Sequence, residues 1–402
     1  MLNPPVAGLD RRSSGTTISF LPLDKIWADE RFDPSTGFLF MGDLGSYNPV
    51  ADGDLLLPKV APTFEHGRVV VARGLIGGRA LATSEVFVLR TASPNDARFL
   101  AYRLRARDFI SEGVASRTGV AGLKRISVGF VRDTPIDPWA WANRATVADF
   151  LDRECARIAA LVDQARRLGE LAEAPALNLV EARWDDFPHV RIGRRHNVQL
   201  GKKLYEDRID HSTAKPYLRI ANVYWDRFDL DDVKVMNFEG REAELYALRE
   251  GDLLVCEGRG LGRSAVWSNQ IDPCYFQMSL NRVRPYGADS TRWLMWCLRV
   301  LNRRGAFLGD APGVPHVTAE QLRAANVPTP TPAEQRSLVA SVDATAIRGR
   351  ELLDATQLLV SLLAEYRDAL ITEAVTGQLD VTAASDRQMD ERLHEAVEAS
   401  EG

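Results

Sequence analysis

Two stretches of this chain carry apolar residues at alternating spacings of four and three, the seam of paired helices. The first runs through Val147, Leu151, Ile158, Leu161, Ala165, Leu168 and Ala172, with Glu154 as its polar member. The second runs through Leu338, Val342, Leu352, Leu359, Leu363, Tyr366 and Leu370, interrupted by Thr345, Gly349 and Thr356. Pro330 and Pro332 mark its start, with Thr331 as N-cap and Glu334 placed for a capping box. At 1.5 Å per residue these helices would extend roughly 45 Å and 60 Å, further than a domain of this size requires. The pattern therefore predicts an antiparallel pair, whose polar and small seam residues are packing points. The alternative is that each helix packs only on its own globule.

Ahead of each helix lies a region of short strand patterns and turns. In the first, strands are predicted over residues 16–21, 54–57, 68–71 and 85–90, then a helix over 98–109. In the second they fall at 217–223, 252–256, 264–267 and 275–283, then a helix over 292–302. The two regions are related. Gly53-Asp54-Leu55-Leu56-Leu57 returns as Gly251-Asp252-Leu253-Leu254-Val255, 198 residues later. Gly122-Leu123-Lys124-Arg125-Ile126-Ser127 aligns with Gly313-Val314-Pro315-His316-Val317-Thr318 at an offset of 191, which also carries Val147, Leu151 and Leu161 onto Leu338, Val342 and Leu352.

The fold class is thus α+β: two similar mixed α/β globules separated by an antiparallel two-helix coiled coil. The expected boundaries are 1–142 and 183–325 for the globules, 143–182 and 326–381 for the helices, and 382–402 for a mobile acidic tail. A helix leaving one globule and ending at the other, paired with one running back, would hold two related surfaces at a fixed separation. A separation of roughly 35–45 Å is about one turn of B-DNA.

Charge changes this picture only when divided by region. The chain totals −5, but residues 1–142 carry 17 basic and 15 acidic side chains and residues 183–325 carry 22 and 19. The acidity sits on the helices and tail, where residues 326–402 carry 6 basic and 14 acidic groups. DNA affinity depends on local clustering of cations, because each neutralised phosphate contributes separately. Arg outnumbers Lys 43 to 7; guanidinium suits bidentate contact with guanine and phosphate, although a GC-rich genome gives the same bias. The four cysteines and six histidines are dispersed without metal-ligand spacing. With no long apolar run and no basic-then-apolar leader, a reduced, cytoplasmic protein with no membrane contact is expected.

Some motifs carry a family resemblance. The segment Pro328-Thr329-Pro330-Thr331-Pro332-Ala333-Glu334-Gln335-Arg336, its helix, and the closing run Glu365-Tyr366-Arg367-Asp368-Ala369-Leu370-Ile371-Thr372-Glu373-Ala374-Val375-Thr376-Gly377-Gln378-Leu379 resemble the C-terminal repeat of type I restriction-modification specificity subunits. The first helix, with Phe150-Leu151-Asp152-Arg153-Glu154, is similar to that family's central repeat. Its lead-in departs from the pattern, reading Asp137-Pro138-Trp139-Ala140-Trp141 in place of proline-proline and Glu-Gln. The globules resemble the family's target-recognition domains. The resemblance implies a non-catalytic subunit that binds double-stranded DNA and joins two adenine methyltransferase subunits. In restriction mode it would also join two ATP-driven translocase-nuclease subunits. Each globule would read half of a bipartite site.

Base readout calls for Arg, Lys, Asn or Gln on loops or strands that can reach a groove. The candidates are Lys59, Arg68, Arg79, Lys124 and Arg125 in the first globule. In the second they are Lys202, Lys203, Arg219, Asn222, Arg259, Arg263 and Arg284. No catalytic, metal or cofactor site is expected: Asn3-Pro4-Pro5-Val6 lacks the aromatic residue of a methyltransferase signature, the Gly258-Arg259-Gly260-Leu261-Gly262-Arg263 loop is not a dinucleotide fingerprint, and no P-loop is present. Competing readings are a coiled-coil scaffold whose globules bind proteins, or a specificity subunit of a methylation-only system. Exchanging residues 1–142 for the first globule of another such subunit is expected to change one half-site of the methylated sequence and leave the other intact. Methylation mapping reads this directly, and a change in both halves contradicts modular reading.

Overall fold

The computed structural model describes residues 1–27, 31–117, 124–203, 210, 213–258, 260–307, 316–384 and 386–398. The uninterrupted apolar runs at 55–57 and 253–255 become strands Leu55–Pro58 and Leu253–Cys256, every residue of which is buried. Each is the middle of an antiparallel sheet. Leu55–Pro58 lies between Val70–Val71 and Val86–Leu89, with Leu55 opposite Leu89. Leu253–Cys256 lies between Ser264–Val266 and Leu280–Pro285, with Leu253 opposite Val283, and His196–Leu200 is added outside. A second sheet accompanies each and contains one parallel pair. Thr16–Leu21 runs parallel to Arg79–Ala82, flanked by Gly37–Phe40 and Asn48–Ala51; Lys215–Leu218 runs parallel to Tyr275–Phe276, flanked by Lys234–Met236.

The sequence repeat at Gly53 and Gly251 marks the same construction built twice. Gly53 and Gly251 adopt φ of +90° and +85°, a region that favours glycine, and turn the chain into the buried strand. The next residue is a carboxylate that is 1% exposed in both cases. Asp54 accepts two bonds from Arg90, at 2.7 and 2.6 Å, and one from the Ala51 N–H at 2.8 Å. Asp252 accepts two from Arg284, both at 2.6 Å, and one from the Arg249 N–H at 2.8 Å. A buried carboxylate is tolerated only when paired and hydrogen-bonded, and here a fork from the neighbouring strand and a turn N–H satisfy it.

The chain divides into two units, Met1–Arg167 with Thr356–Gly402, and Leu168–Ala355. In the first, the helix Arg144–Leu171 contributes Val147, Leu151 and Ile158, and the helix Pro332–Val375 contributes Leu363, Leu370 and Ala374, to one buried cluster with Phe99 and Tyr102. In the second, Val342 and Ala346 of the long helix share a cluster with Ala176, Val180 and the helix Thr291–Arg303. The capping box at Thr331 and Glu334 is formed: the Glu334 carboxylate accepts the Thr331 N–H at 2.8 Å, and the Thr331 hydroxyl accepts the Glu334 N–H at 3.4 Å.

The structure departs from the sequence pattern in several places. The single helix expected over 143–182 is interrupted at 172–173 and resumes as Ala174–Ala182, with Pro175 in its first turn. Proline lacks the N–H that a helix interior needs, but a first turn has no use for it. Leu168 and Leu352, expected on the seam, are 51% and 42% exposed. Near them Gly349 comes close to the first helical stretch: a Cβ there would stand 2.3 Å from the Ala172 carbonyl oxygen, so this position needs glycine. The helix expected at 98–109 is two, Pro94–Arg103 and Arg107–Ser116, and the strand expected at 275–283 is also divided. The stretch expected as a mobile tail forms the helix Asp386–Glu398, whose Met389 is 1% exposed within the first unit's cluster.

The clamp yields a stability prediction. Removing the Asp252 carboxylate in Asp252→Ala leaves the Arg284 fork without its partner and is expected to cost about 3 kcal/mol. Urea unfolding of the Leu168–Ala355 unit's tryptophans reports it, and an unchanged midpoint contradicts it.

Candidate nucleic-acid interface

The candidate cations sort by what holds them. Arg125 forms an isolated antiparallel bridge with Val60 and is fixed by Glu85, whose oxygens accept its Nε and Nη2 at 2.7 and 2.8 Å. The hydrogen bond from Arg125, ahead of opposing burial, holds the Glu85 carboxyl below its ordinary pKa. Lys59 donates to the Ser84 carbonyl at 2.5 Å and stands 4.4 Å over the Phe87 ring; burial lowers its pKa from the usual lysine value. Arg68 reaches the Ile26 carbonyl at 3.1 Å and Arg79 the Gly8 carbonyl at 3.0 Å. Both are half-buried, and they tie loops together within the first globule. Lys124 is exposed.

In the second globule Lys202 is drawn inward, donating to the Asn237 carbonyl at 2.7 Å and to Glu242 at 2.5 Å. Arg219 pairs with Asp232. Lys203 is exposed. Arg263 donates to the Ile220 carbonyl at 3.4 Å and lies over the Tyr224 ring at 4.8 Å; a Cβ on Gly260 would collide with its guanidinium. Arg259 lies outside the described residues.

Geometry corrects two candidates. Asn222 is buried, its amide oxygen accepts the Arg219 N–H at 3.0 Å, and its amide nitrogen donates to the Asp229 and Asp232 carbonyls at 2.9 and 3.2 Å. With both donors used inside the protein, it has none for a base edge. Arg284 is the sibling of Arg90 and is committed to Asp252. The sequence alone offered Arg284 for base readout because the partner carboxylate lies 32 positions away.

One grouping was absent from the sequence reading. Tyr224 sits between two guanidiniums, Arg227 at 4.3 Å and Arg263 at 4.8 Å from the ring centroid. It belongs to the hairpin formed by Val223–Tyr224 and Arg227–Phe228, and Arg227 is exposed. The Tyr-x-x-Arg spacing across a tight hairpin is the signal that could have revealed it. Such a stack is stiff and cationic, the combination used against phosphate or an unpaired base edge. Among the described residues no group of three or more His, Cys, Asp or Glu could hold a metal ion. No helix there is long and apolar enough to cross a membrane.

No protein-family model matches the chain. Two curated proteins of Escherichia coli do. The specificity subunit of type I restriction enzyme EcoEI is 31% identical over 139 residues, and that of EcoAI is 29% identical over 139 residues. Each match covers 34% of this chain and 23% of the relative, so it spans about a quarter of the curated proteins' length. Among solved structures, one from work on complex assembly and conformational transition of a type I R-M system superposes with a TM-score of 0.69 at 18% identity, covering 92% of this chain and 93% of that one. The HsdS subunit from Thermoanaerobacter tengcongensis gives 0.54 at 16%, over the same shares.

The fold is that of type I specificity subunits. The likeness runs through both units, since 92% of the chain is covered, and is not confined to the segment matched in sequence. The resemblance read from the motifs is therefore met twice, by curated relatives and by the mixed α/β fold.

Within this specificity-subunit fold the candidates separate experimentally. Asn222→Ala and Arg284→Ala are each expected to lower folding stability by about 1–3 kcal/mol through stranded buried partners. Lys124→Ala is expected to leave the unfolding midpoint unchanged. Denaturant titration of the three variants distinguishes them, and a stable Arg284→Ala protein returns that residue to the surface set.

Proposed function

We propose that this chain is the DNA-sequence specificity subunit of a type I restriction-modification complex. Each globule reads one half of a split site in double-stranded DNA. The helices Arg144–Leu171 and Pro332–Val375 run antiparallel between them as the spacer. The subunit docks two adenine methyltransferase subunits and, in restriction mode, ATP-driven translocase-nuclease subunits; chemistry is left to those partners. The observation that carries this reading is the duplicated Asp–Arg clamp, found at the same turn and the same strand register in both globules. One polypeptide holding two sibling modules is suited to an extended target with two half-sites, as a palindromic operator suits a two-fold dimer.

In this reading the exposed Lys124, Lys203 and Arg227, with Tyr224 and Arg263 beside the last, face the duplex, while Arg259 stays a candidate outside the described residues. The internally bonded Lys59, Arg68, Arg79, Arg125, Lys202 and Arg219 shape the loops that carry them. Phosphate contacts position the protein and base contacts specify the sequence, so the two classes respond differently to mutation.

The test uses the chain assembled with its methyltransferase subunits. The complex is expected to methylate adenine in a two-part sequence, and the chain alone to methylate nothing. Lys124→Ala and Lys203→Ala are each expected to reduce the slope of log affinity against log salt by about 1 without altering the sequence methylated. Binding that ignores salt, or methylation without a split motif, contradicts the proposal and favours a protein-binding scaffold.

A further inference from the structure

Each globule is joined to a long helix by the same three side chains. In the first unit, Asp152 on the helix Arg144–Leu171 accepts the Arg98 Nε on one oxygen at 3.1 Å and the Tyr102 hydroxyl on the other at 2.6 Å. In the second, Asp343 on the helix Pro332–Val375 accepts the Arg292 Nε on one oxygen at 2.5 Å and the Trp296 indole N–H on the other at 2.8 Å. Asp152 and Asp343 are separated by 191 residues, the offset of the helical repeat; Arg98 and Arg292, like Tyr102 and Trp296, are separated by 194. The aromatic donor has changed from phenol to indole while its bond to the same oxygen persists. A merely solvated surface carboxylate has no reason to recur with both acceptor roles intact.

A second tie recurs about two turns earlier on each helix. Arg144 reaches Asp96 at 2.5 Å; 191 positions on, Gln335 donates to Asp289 at 3.1 Å and accepts the Ser290 N–H at 2.7 Å. These contacts seat the helix start against the beginning of the globular helix. Two ties a turn and more apart resist both rotation and tilt. The second unit adds a third: Asp226, in the hairpin that carries Tyr224, accepts Arg292 at 2.5 and 2.9 Å and Arg350 of the long helix at 2.9 Å. Hydrogen bonding to Asp152, ahead of the Asp149 contribution and against burial, raises the Arg98 pKa above its ordinary value.

We infer that Asp152 and Asp343 are positioning residues that fix the angle of each globule on its helix, and that this rigidity sets which half-site separation the protein accepts. The inference rests on the reading of the chain as a specificity subunit. Two tethered modules engage one duplex at an effective concentration that peaks sharply with target spacing when the joints are stiff and flattens when they yield. Softening the joints therefore lowers the rate at the preferred separation and raises it at neighbouring ones. Half-site sequences, read by other residues, stay the same.

The experiment measures adenine methylation by the assembled methyltransferase complex. Its substrates are duplexes whose half-sites, taken from methylation mapping, are moved together or apart by one and two base pairs. The parent complex is expected to favour one separation over its neighbours by about 10-fold or more, and Asp152→Asn with Asp343→Asn to shrink that ratio by about 5-fold. If the double variant does not fold, Tyr102→Phe, which removes one hydroxyl and its bond to Asp152, is read in the same way against the parent. A ratio unchanged within two-fold in the folded variant, or a parent indifferent to separation, overturns the inference. A parent complex that methylates no split site overturns the functional reading beneath it. Loss of rate in equal proportion at every separation marks general destabilisation and counts against a positioning role.

Discussion

The first unit builds its core from both ends of the sequence. Val147, Leu151 and Ile158 are buried in one cluster with Leu363, Leu370 and Ala374, which return from the far end of the chain. Each such aliphatic side chain contributes about 1.5–3 kcal/mol on burial, so a few of them decide whether the helix stays attached. The second unit has the converse arrangement, with Val342 and Ala346 packed among Ala176, Val180 and the globular helix. The first unit is therefore discontinuous in sequence, whereas the second is the single stretch Leu168–Ala355.

Within this frame duplication has preserved interactions more faithfully than residues. The clamp pairs Asp54 with Arg90 and Asp252 with Arg284, and the turn N–H is supplied by alanine in one copy and arginine in the other. At the helix joint a tyrosine hydroxyl and a tryptophan N–H serve the same carboxylate oxygen. The lead-in that departs from the family motif follows this logic as well: Arg144 does with Asp96 what Gln335 does with Asp289.

Much of the architecture was legible in the sequence because periodicity is a local property. The long helices, the capping box at Thr331 and the buried runs at 55–57 and 253–255 all appear in the structure. What failed was what depends on distant partners. Leu168 and Leu352 satisfied the spacing yet are exposed, because spacing alone does not say where a neighbour covers the helix. The acidic composition of the last residues concealed Met389 and Leu393, four apart, which give that helix an apolar side. The site was least legible. A lone arginine in a sequence reads as a surface cation, and only the fold shows that Arg284 has a buried carboxylate and that Asn222 is a turn brace.

The dependence of one unit on a returning helix is open to a direct measurement. Amide hydrogen exchange of the full chain bearing Leu363→Glu and Leu370→Glu is to be compared with that of the parent. Loss of protection confined to residues 144–167 and the facing part of the long helix, with the strand Leu253–Cys256 and the helix Thr291–Arg303 as protected as before, is the outcome that closure by the C-terminal helix demands. Undiminished protection across residues 144–167 would mean that the first helix is held by its own globule alone.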